Sequence, residues 1–370
     1  MRPESSDPAP EPGKSPLGKE RARRGRARLS WVDRKLTALI GLAMIGLARL
    51  PDPDSGQTPA QVRMARGDGD RRAQTLAFAF SPDGPTIATT HSDGRVALRS
   101  PTDGWSLQRF RGDRGNGWAV AFSPDGRSLA LGGFGPDIVL CDLGSKGADR
   151  PMGIGIEQAK ALAFSPGGRI LAAASTLSDQ ILLWDMAERR ERIRLRGHSA
   201  GVLSLAFAPD GRSLASGGLN DRAIIVWDPV SGGWRLRLPV PPGPVMALAC
   251  SPDGSLLASA SAFESSVRLW DLAAGRLVRL IASYAPSLNS VAFAPDGRLL
   301  ATADNDGTVK LWSVATGRRL ACLDGQANRL GGVAFAPDGR TLAAIGNDND
   351  VRLWDVTEVV GTLTNHPADR

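Results

Sequence analysis

Cysteine and histidine are scarce in this chain of 370 residues, and their scarcity excludes whole classes of site. The three cysteines, Cys141, Cys250 and Cys322, are an odd number spread along the chain, which excludes a disulfide framework and any CxxC zinc or redox site. Three histidines leave little material for a histidine-based metal centre. The sequence therefore predicts neither a metal site nor a cofactor.

An excess of basic charge is also missing from most of the chain, although the formal net charge is +7. Residues 1–72 carry 15 Lys and Arg against 9 Asp and Glu, a net of +6, and the remaining 298 residues carry 30 against 29, a net of +1. Most of the chain thus has no global electrostatic reason to bind nucleic acid phosphates. We expect nucleic acid or anionic lipid to bind weakly, if at all, and then through the basic tail.

The first 61 residues differ in composition from the rest. Residues 1–35 place a run of arginines among prolines and glycines and predict a disordered basic tail. Leu36–Leu50 reads LTALIGLAMIGLARL and predicts a short apolar helix, and residues 51–61 predict a linker. The folded domain is expected over residues 62–366.

The helix predicted for Leu36–Leu50 raises the question of a membrane. At about 1.5 Å per residue it spans about 22 Å, which is less than the roughly 30 Å hydrocarbon core of a bilayer. That length fits the apolar region of a signal peptide or an uncleaved anchor, and a short helix docked on the protein is the alternative. A membrane-tethered or exported protein is expected slightly ahead of a cytoplasmic one.

From residue 62 onward the sequence repeats. A turn similar to AFSPDG recurs seven times, with successive last glycines 42 or 43 residues apart: Gly84, Gly126, Gly168, Gly211, Gly254, Gly297 and Gly339. An alternating apolar run precedes each turn, which is the pattern of a strand, and Pro-Asp-Gly suits a tight hairpin. A second strand, a further hairpin, a third strand and a more polar fourth strand follow in each unit.

Four antiparallel strands cannot bury both faces alone, so the units must stack on one another. Five third strands end in Trp followed by Asp or Ser, at Trp184, Trp227, Trp270, Trp312 and Trp354. With its period, this ending resembles the WD-repeat family. The resemblance covers about residues 62–366. It implies an all-β, seven-bladed β-propeller of four-stranded antiparallel blades.

The resemblance also implies a supporting tetrad of His, Ser or Thr, Asp and Trp in each repeat. The fourth repeat carries all four residues, namely His198, Ser216, Asp221 and Trp227. In the sixth repeat Tyr284 replaces the histidine, and the second repeat keeps none of the four. We therefore expect blades 1 and 2 to be the least rigid part of the ring.

Two segments could supply the outer strand of the last blade. One is residues 61–66 at the N-terminal side, which the family usually employs. The other is Val359–Thr364, which lies at the usual distance after Trp354. This spacing favours closure by the C-terminal segment.

Residues 197–201, GHSAG, match the G-x-S-x-G nucleophile elbow of hydrolases. That motif requires a strand-to-helix turn, whereas here a strand and another Pro-Asp-Gly turn follow, and the tetrad already uses His198. We therefore expect no catalytic residue and no enzymatic activity.

With catalytic groups set aside, the expected function is recognition by a scaffold that binds a protein or peptide. In WD-repeat proteins, partner peptides commonly bind around one mouth of the central channel, where the residue four before the conserved Phe contributes. By resemblance these rim residues are Leu76, Trp118, Lys160, Leu203, Met246, Asn289 and Gly331, and Tyr284 and Arg329 lie in neighbouring loops.

Trp118 is the strongest rim candidate because its flexible preceding loop leaves little else to cover it. Leu76 and Leu203 could instead plug the channel. The alternative function is a propeller enzyme or small-ligand binder that uses the channel. Such a site usually converges several acids, histidines or metal ligands, whereas Lys160 is the one ionisable group among the seven rim positions.

Overall fold

The computed structural model describes residues 62–65, 73–101, 106–111, 117–135, 137–144, 149–283, 287–324, 329–348 and 350–357. Within these ranges, 28 strands form seven four-stranded antiparallel sheets, which we call blades 1 to 7. None of the residues just given belongs to a helix long and apolar enough to cross a membrane. The predicted tail, apolar helix and linker, together with Tyr284, lie outside the described residues.

The strands of the first four blades follow one another along the chain. Blade 1 consists of β2 (Thr75–Phe80), β3 (Ile87–His91), β4 (Arg95–Arg99) and β5 (Ser106–Arg111). Blade 2 consists of β6 (Gly117–Phe122), β7 (Ser128–Gly133), β8 (Val139–Asp142) and β9 (Asp149–Pro151). Blade 3 consists of β10 (Ala159–Phe164), β11 (Ile170–Ser175), β12 (Gln180–Asp185) and β13 (Arg190–Arg196). Blade 4 consists of β14 (Val202–Phe207), β15 (Leu214–Gly218), β16 (Ala223–Trp227) and β17 (Trp234–Pro239).

The last three blades repeat this arrangement with one difference. Blade 5 consists of β18 (Val245–Cys250), β19 (Leu256–Ser261), β20 (Ser266–Asp271) and β21 (Arg276–Ala282). Blade 6 consists of β22 (Leu288–Phe293), β23 (Leu299–Asp304), β24 (Thr308–Ser313) and β25 (Arg319–Asp324). Blade 7 consists of β26 (Leu330–Phe335), β27 (Thr341–Gly346) and β28 (Val351–Asp355), and its outer strand is β1 (Val62–Ala65).

The ring is therefore closed by the N-terminal strand. β1 pairs antiparallel with β28, with Val62 opposite Trp354 and Ala65 opposite Val351. The expectation that Val359–Thr364 closes the ring is wrong, and that segment lies outside the described residues. The physical reason is that the outer edge of β28 accepts one strand, and β1 from the other end of the domain already occupies it.

The turns between first and second strands form a second closed circle. Their seven glycines have φ between +67° and +88°, a left-handed conformation that glycine adopts without strain. A Cβ placed on Gly126 would lie 3.8 Å from Pro82 of the preceding blade, and one placed on Gly84 would lie 3.6 Å from Pro337 of blade 7. The proline of each turn thus contacts the turn of the next blade around the whole ring.

The hydrophobic core lies between the blades. Each of seven buried clusters within the described ranges joins one pair of neighbouring blades, including blades 7 and 1. Between blades 3 and 4, for example, Leu183 packs with Ile225 and Trp227. Cys141 lies opposite Leu129, which is the position that Trp184 takes opposite Leu171 in the next blade.

Candidate protein-binding face

The first strand of every blade contains a β-bulge at the same place. In blade 1 the register shifts between Thr75 and Ala77, so that Leu76 has no partner on β3. The corresponding shifts leave six further residues unpaired in the ladder: Trp118, Lys160, Leu203, Met246, Asn289 and Gly331. Bulges re-aim side chains away from the regular ladder. The seven residues singled out from the sequence thus occupy one equivalent position.

These bulges surround the centre of the ring. The first strands of neighbouring blades contact one another in an unbroken cycle from β2 to β26 and back to β2. Each bulge lies at the start of its strand, at the end opposite the Pro-Asp-Gly turns. We call the surface formed by the seven bulge residues the bulge rim.

The bulge rim is accessible in some blades and packed in others. Leu203 and Asn289 are buried, and the amide Nδ2 of Asn289 donates to the Leu330 carbonyl of blade 7 at 2.6 Å. Gly331 is exposed, and a Cβ placed on it would meet no atom within 4 Å. Leu76, Trp118, Lys160 and Met246 are half-buried. Leu203 is thus packed against its surroundings, whereas Leu76 keeps part of its surface exposed.

Trp118 is held between an aromatic ring and a cation. Its ring lies 4.0 Å from the Phe134 ring between centroids, with an angle of 56° between the planes. The Nζ of Lys160, from the next blade, lies 5.2 Å from the Trp118 ring centroid, within cation–π range. The expectation that little would cover Trp118 is therefore wrong. Sequence reasoning missed Phe134 because it lies in the β7–β8 hairpin, outside the repeated pattern.

The pKa of Lys160 is also affected by the charge of Arg329, which belongs to blade 7. Burial lowers the pKa of the Lys160 ammonium, and the charge of the Arg329 guanidinium lowers it further. Burial likewise lowers the pKa of Arg329, which directly precedes β26 of blade 7. The Arg329 guanidinium of blade 7 thus lies near enough to disfavour the charged form of Lys160, and both residues lie at the bulge end of their blades.

Blade 4 carries the four tetrad side chains in one buried network. His198 donates through Nδ1 to Asp221, while its Nε2 lies 2.6 Å from the Ser216 hydroxyl. The indole N–H of Trp227 donates to the same hydroxyl at 2.7 Å. Burial lowers the pKa of His198, against the opposing effect of Asp221, so the imidazole is neutral near pH 7. The Ser199 hydroxyl donates to Asp221 rather than to the imidazole, as a structural hydroxyl would.

In blades 5 to 7 a cation replaces the tetrad histidine as the partner of the turn carboxylate. The ion pairs are Glu264 with Arg268, Asp306 with Lys310, and Asp348 with Arg352. In each pair the cation lies four residues after the carboxylate and two before the conserved tryptophan. Sequence reasoning missed these pairs, although an acid and a base four residues apart in three successive repeats is a readable signal.

We expect the backbone amides of blades 1 and 2 to exchange hydrogen faster than those of blade 4. Each missing network forfeits buried hydrogen bonds worth about 1 kcal/mol apiece. Blade 1 keeps a remnant, in which Thr89 Oγ1 lies 3.2 Å from His91 Nε2, whereas blade 2 ends in the three-residue strand β9. Hydrogen exchange followed by mass spectrometry measures the order, and protection in both blades equal to that of blade 4 would refute the expectation.

The cysteines offer no reactive thiol. Burial raises the pKa of the Cys250 thiol to about 12, and burial also raises the pKa of Cys322. A protonated thiol is a poor nucleophile and a poor metal ligand. Throughout the part of the chain that the structure describes, no three His, Cys, Asp or Glu residues are grouped so as to hold a metal ion.

Comparison with known proteins identifies WD repeats in four of the seven blades. The family model "WD domain, G-beta repeat" matches residues 189–228, 237–271, 276–313 and 317–355. Each match covers all or part of the outer strand of one blade together with three strands of the next, so that blades 4 to 7 carry the signal. Together with the seven four-stranded blades, these four matches support a WD-repeat β-propeller. WD-repeat propellers generally mediate protein interactions and are generally non-catalytic.

One curated protein is similar to part of this chain. Over 127 residues the chain is 34% identical to the Periodic tryptophan protein 2 homolog of Dictyostelium discoideum. The matched segment is 34% of this chain and 14% of that protein, so the chain spans a small part of the relative's length.

Proposed function

We propose that this WD-repeat propeller is a non-catalytic scaffold that binds a protein or peptide through the bulge rim. The observation that carries the proposal is the shared register shift, which brings seven residues of six types to one end of the seven central strands. A circle of mostly different residues on a rigid frame is suited to recognition, because little conformational entropy is lost on binding.

The accessible side chains of the bulge rim have the composition of an interface centre. Leu76, Trp118 and Met246 are half-buried, so each keeps apolar surface that a partner could cover. Aromatic residues and methionine are enriched at the centres of protein interfaces. Phe134 holds the Trp118 ring in place before any partner arrives, which favours Trp118 as an anchor.

The test compares two tryptophans of the same chain. Proteins captured from the source organism's extract by the immobilised wild-type chain are identified, and one of them is purified for affinity measurement. We expect Trp118→Ala to weaken that affinity at least about tenfold, since truncation of an anchor tryptophan typically costs 2 kcal/mol or more. Trp234, which is 64% exposed on the outer strand β17, is the matched control, and Trp234→Ala should bind as wild type does.

Two results would contradict the proposal. Unchanged binding by Trp118→Ala together with loss of binding by Trp234→Ala would place the contact on the perimeter of the ring. A small molecule that co-purifies with the chain and is lost on substitution of bulge-rim residues would favour a channel ligand over a protein partner.

A further inference from the structure

Two cations, Lys160 of the bulge rim and Arg329 just before β26, form no ion pair with an acid of the described residues. Lys160 belongs to the bulge of β10, and its Nζ contacts the face of Trp118 rather than a carboxylate. Arg329 precedes β26, and its main-chain carbonyl accepts a hydrogen bond from Asn347. No ion pair involving the side chain of either residue occurs within the described ranges.

Four carboxylates at this end of the ring are engaged by other groups. In blades 5, 6 and 7 they form the ion pairs with Arg268, Lys310 and Arg352 described above. In blade 2 Asp137 accepts the backbone N–H groups of Gly153 and Ile154, at 3.0 Å and 2.6 Å. Each of these acids is already bound to a cation or to backbone N–H groups of its own blade, so it does not balance the positive charge of Lys160 or Arg329.

The surroundings strengthen the attraction of the two cations for an anion. Lys160 is half-buried, and its ammonium lies over the ring of Trp118, which itself packs on Phe134. Charges in such partly desolvated surroundings interact more strongly than charges in bulk water. A guanidinium adds the planar donor pair that binds carboxylate or phosphate oxygens bidentately. Two like charges that repel each other are best stabilised by one anion placed between them.

We propose that the partner of the bulge rim is an acidic peptide segment whose anionic group, a carboxylate or a phosphate, lies between Lys160 and Arg329. This inference rests on the proposed function, since it names the chemistry that the same rim recognises. The apolar neighbours Leu76 and Met246 would contact side chains that flank the acid. A peptide fits better than nucleic acid, because residues 73–370 carry a net charge of only +1 and the accessible rim is mostly apolar.

The experiment titrates the full chain with four fluorescein-labelled twelve-residue peptides of Ser and Leu that differ at one central position. That position holds Glu, phosphoserine, Gln or Lys, and binding is measured by fluorescence anisotropy. We expect the Glu or the phosphoserine peptide to bind at least about tenfold more tightly than the Gln peptide, with the Lys peptide weakest. The tighter of the two anionic peptides identifies the source of the anion.

Charge variants of the chain then locate the contact. Lys160→Gln and Arg329→Gln should each reduce the preference for the anionic peptide to less than about threefold, and Lys160→Met serves as a second variant whose folding is checked by thermal melting. Arg212→Gln is the matched control, since Arg212 is exposed in a Pro-Asp-Gly turn at the opposite end of the ring. This control should keep the full preference.

The outcomes separate this inference from the function on which it rests. Equal binding of the Glu and Gln peptides, or failure of all four peptides to bind, would overturn the acidic-peptide inference while Trp118-dependent capture of a partner still supports the scaffold. Tighter binding of a twelve-nucleotide single-stranded DNA, lost in Lys160→Gln, would replace the peptide with nucleic acid. If the rim variants still bind the anionic peptide and still capture the partner as the wild-type chain does, both proposals are overturned.

Discussion

Replacement of Lys310 by methionine should lower the free energy of unfolding by about 3–5 kcal/mol at pH 7. The Lys310 ammonium contacts both Asp304 and Asp306, the latter at 2.9 Å, and Lys310 and Asp304 are both buried. Without the ammonium, the buried carboxylate of Asp304 and the partly buried carboxylate of Asp306 lose the cation that both contact. Breaking a buried ion pair on one side is costly because it leaves the remaining charge uncompensated.

The loss should depend on pH in a defined direction. Burial raises the pKa of Asp304 to about 6, against the opposing charge of Lys310. A raised carboxyl pKa means that the folded state holds a proton that the unfolded state has already released, so this group's contribution to stability falls as the pH rises from about 4 to about 6. Removal of the ammonium raises the pKa of Asp304 further and takes away an interaction that lowers the pKa of Asp306. The deficit of Lys310→Met should therefore be small at pH 4 and largest above pH 6.

Urea unfolding at pH 4.5 and pH 7.5 measures this difference. Arg268→Met in blade 5 is the matched control, because Arg268 pairs with the single carboxylate of Glu264 and both side chains keep some contact with water. Its loss should be smaller and less dependent on pH. Asp304→Asn introduced into Lys310→Met should restore part of the stability, and an equal deficit of Lys310→Met at both pH values would contradict the ionic explanation.

Deletion of residues 1–66 should lower the melting temperature by on the order of 10 °C, or prevent soluble folding. The deletion removes β1, which uncovers the edge of β28 where Val62 lies opposite the buried Trp354. Several backbone hydrogen bonds worth about 1 kcal/mol each are lost with it. An uncovered strand edge also invites association between chains.

Two shorter deletions are the controls for this effect. Deletion of residues 1–61 keeps β1 and should leave the melting temperature close to that of the full chain. Deletion of residues 358–370 removes Val359–Thr364, the segment favoured by spacing, and should also be mild. A mild effect of the 1–66 deletion combined with a severe effect of the 358–370 deletion would show that the C-terminal segment closes the ring.

The blades could be predicted from the sequence because their information is local. Each hairpin depends on a turn of four to six residues, such as the one ending at Gly211, and seven copies in phase leave one way to bury the sheets. Closure could not be predicted in the same way. The partners Val62 and Trp354 are far apart in the chain, and their pairing depends on an available strand edge rather than on the spacing after Trp354.

The candidate site likewise has features that the local repeat predicts and features that depend on contacts between blades. The position of Lys160 at the start of its strand follows from the repeat. The structure places it in the bulge of β10, which is equivalent to the bulges that hold Leu76 in β2 and Trp118 in β6. Its contact with Trp118 and its interaction with Arg329 depend on side chains from other blades, which no periodic pattern encodes. Resemblance therefore located the rim, and three-dimensional packing supplied its chemistry.

The circle of Pro-Asp-Gly turns has a consequence for how a partner can be oriented. The turns repeat almost the same residues around the ring, with Gly168 preceded by a second glycine as a variation. A partner placed on that end would meet a nearly sevenfold symmetric surface and could rotate among equivalent poses. At the other end, no rotation superimposes the side chains of Trp118, Lys160 and Met246 on one another, so a single angular setting can be selected there.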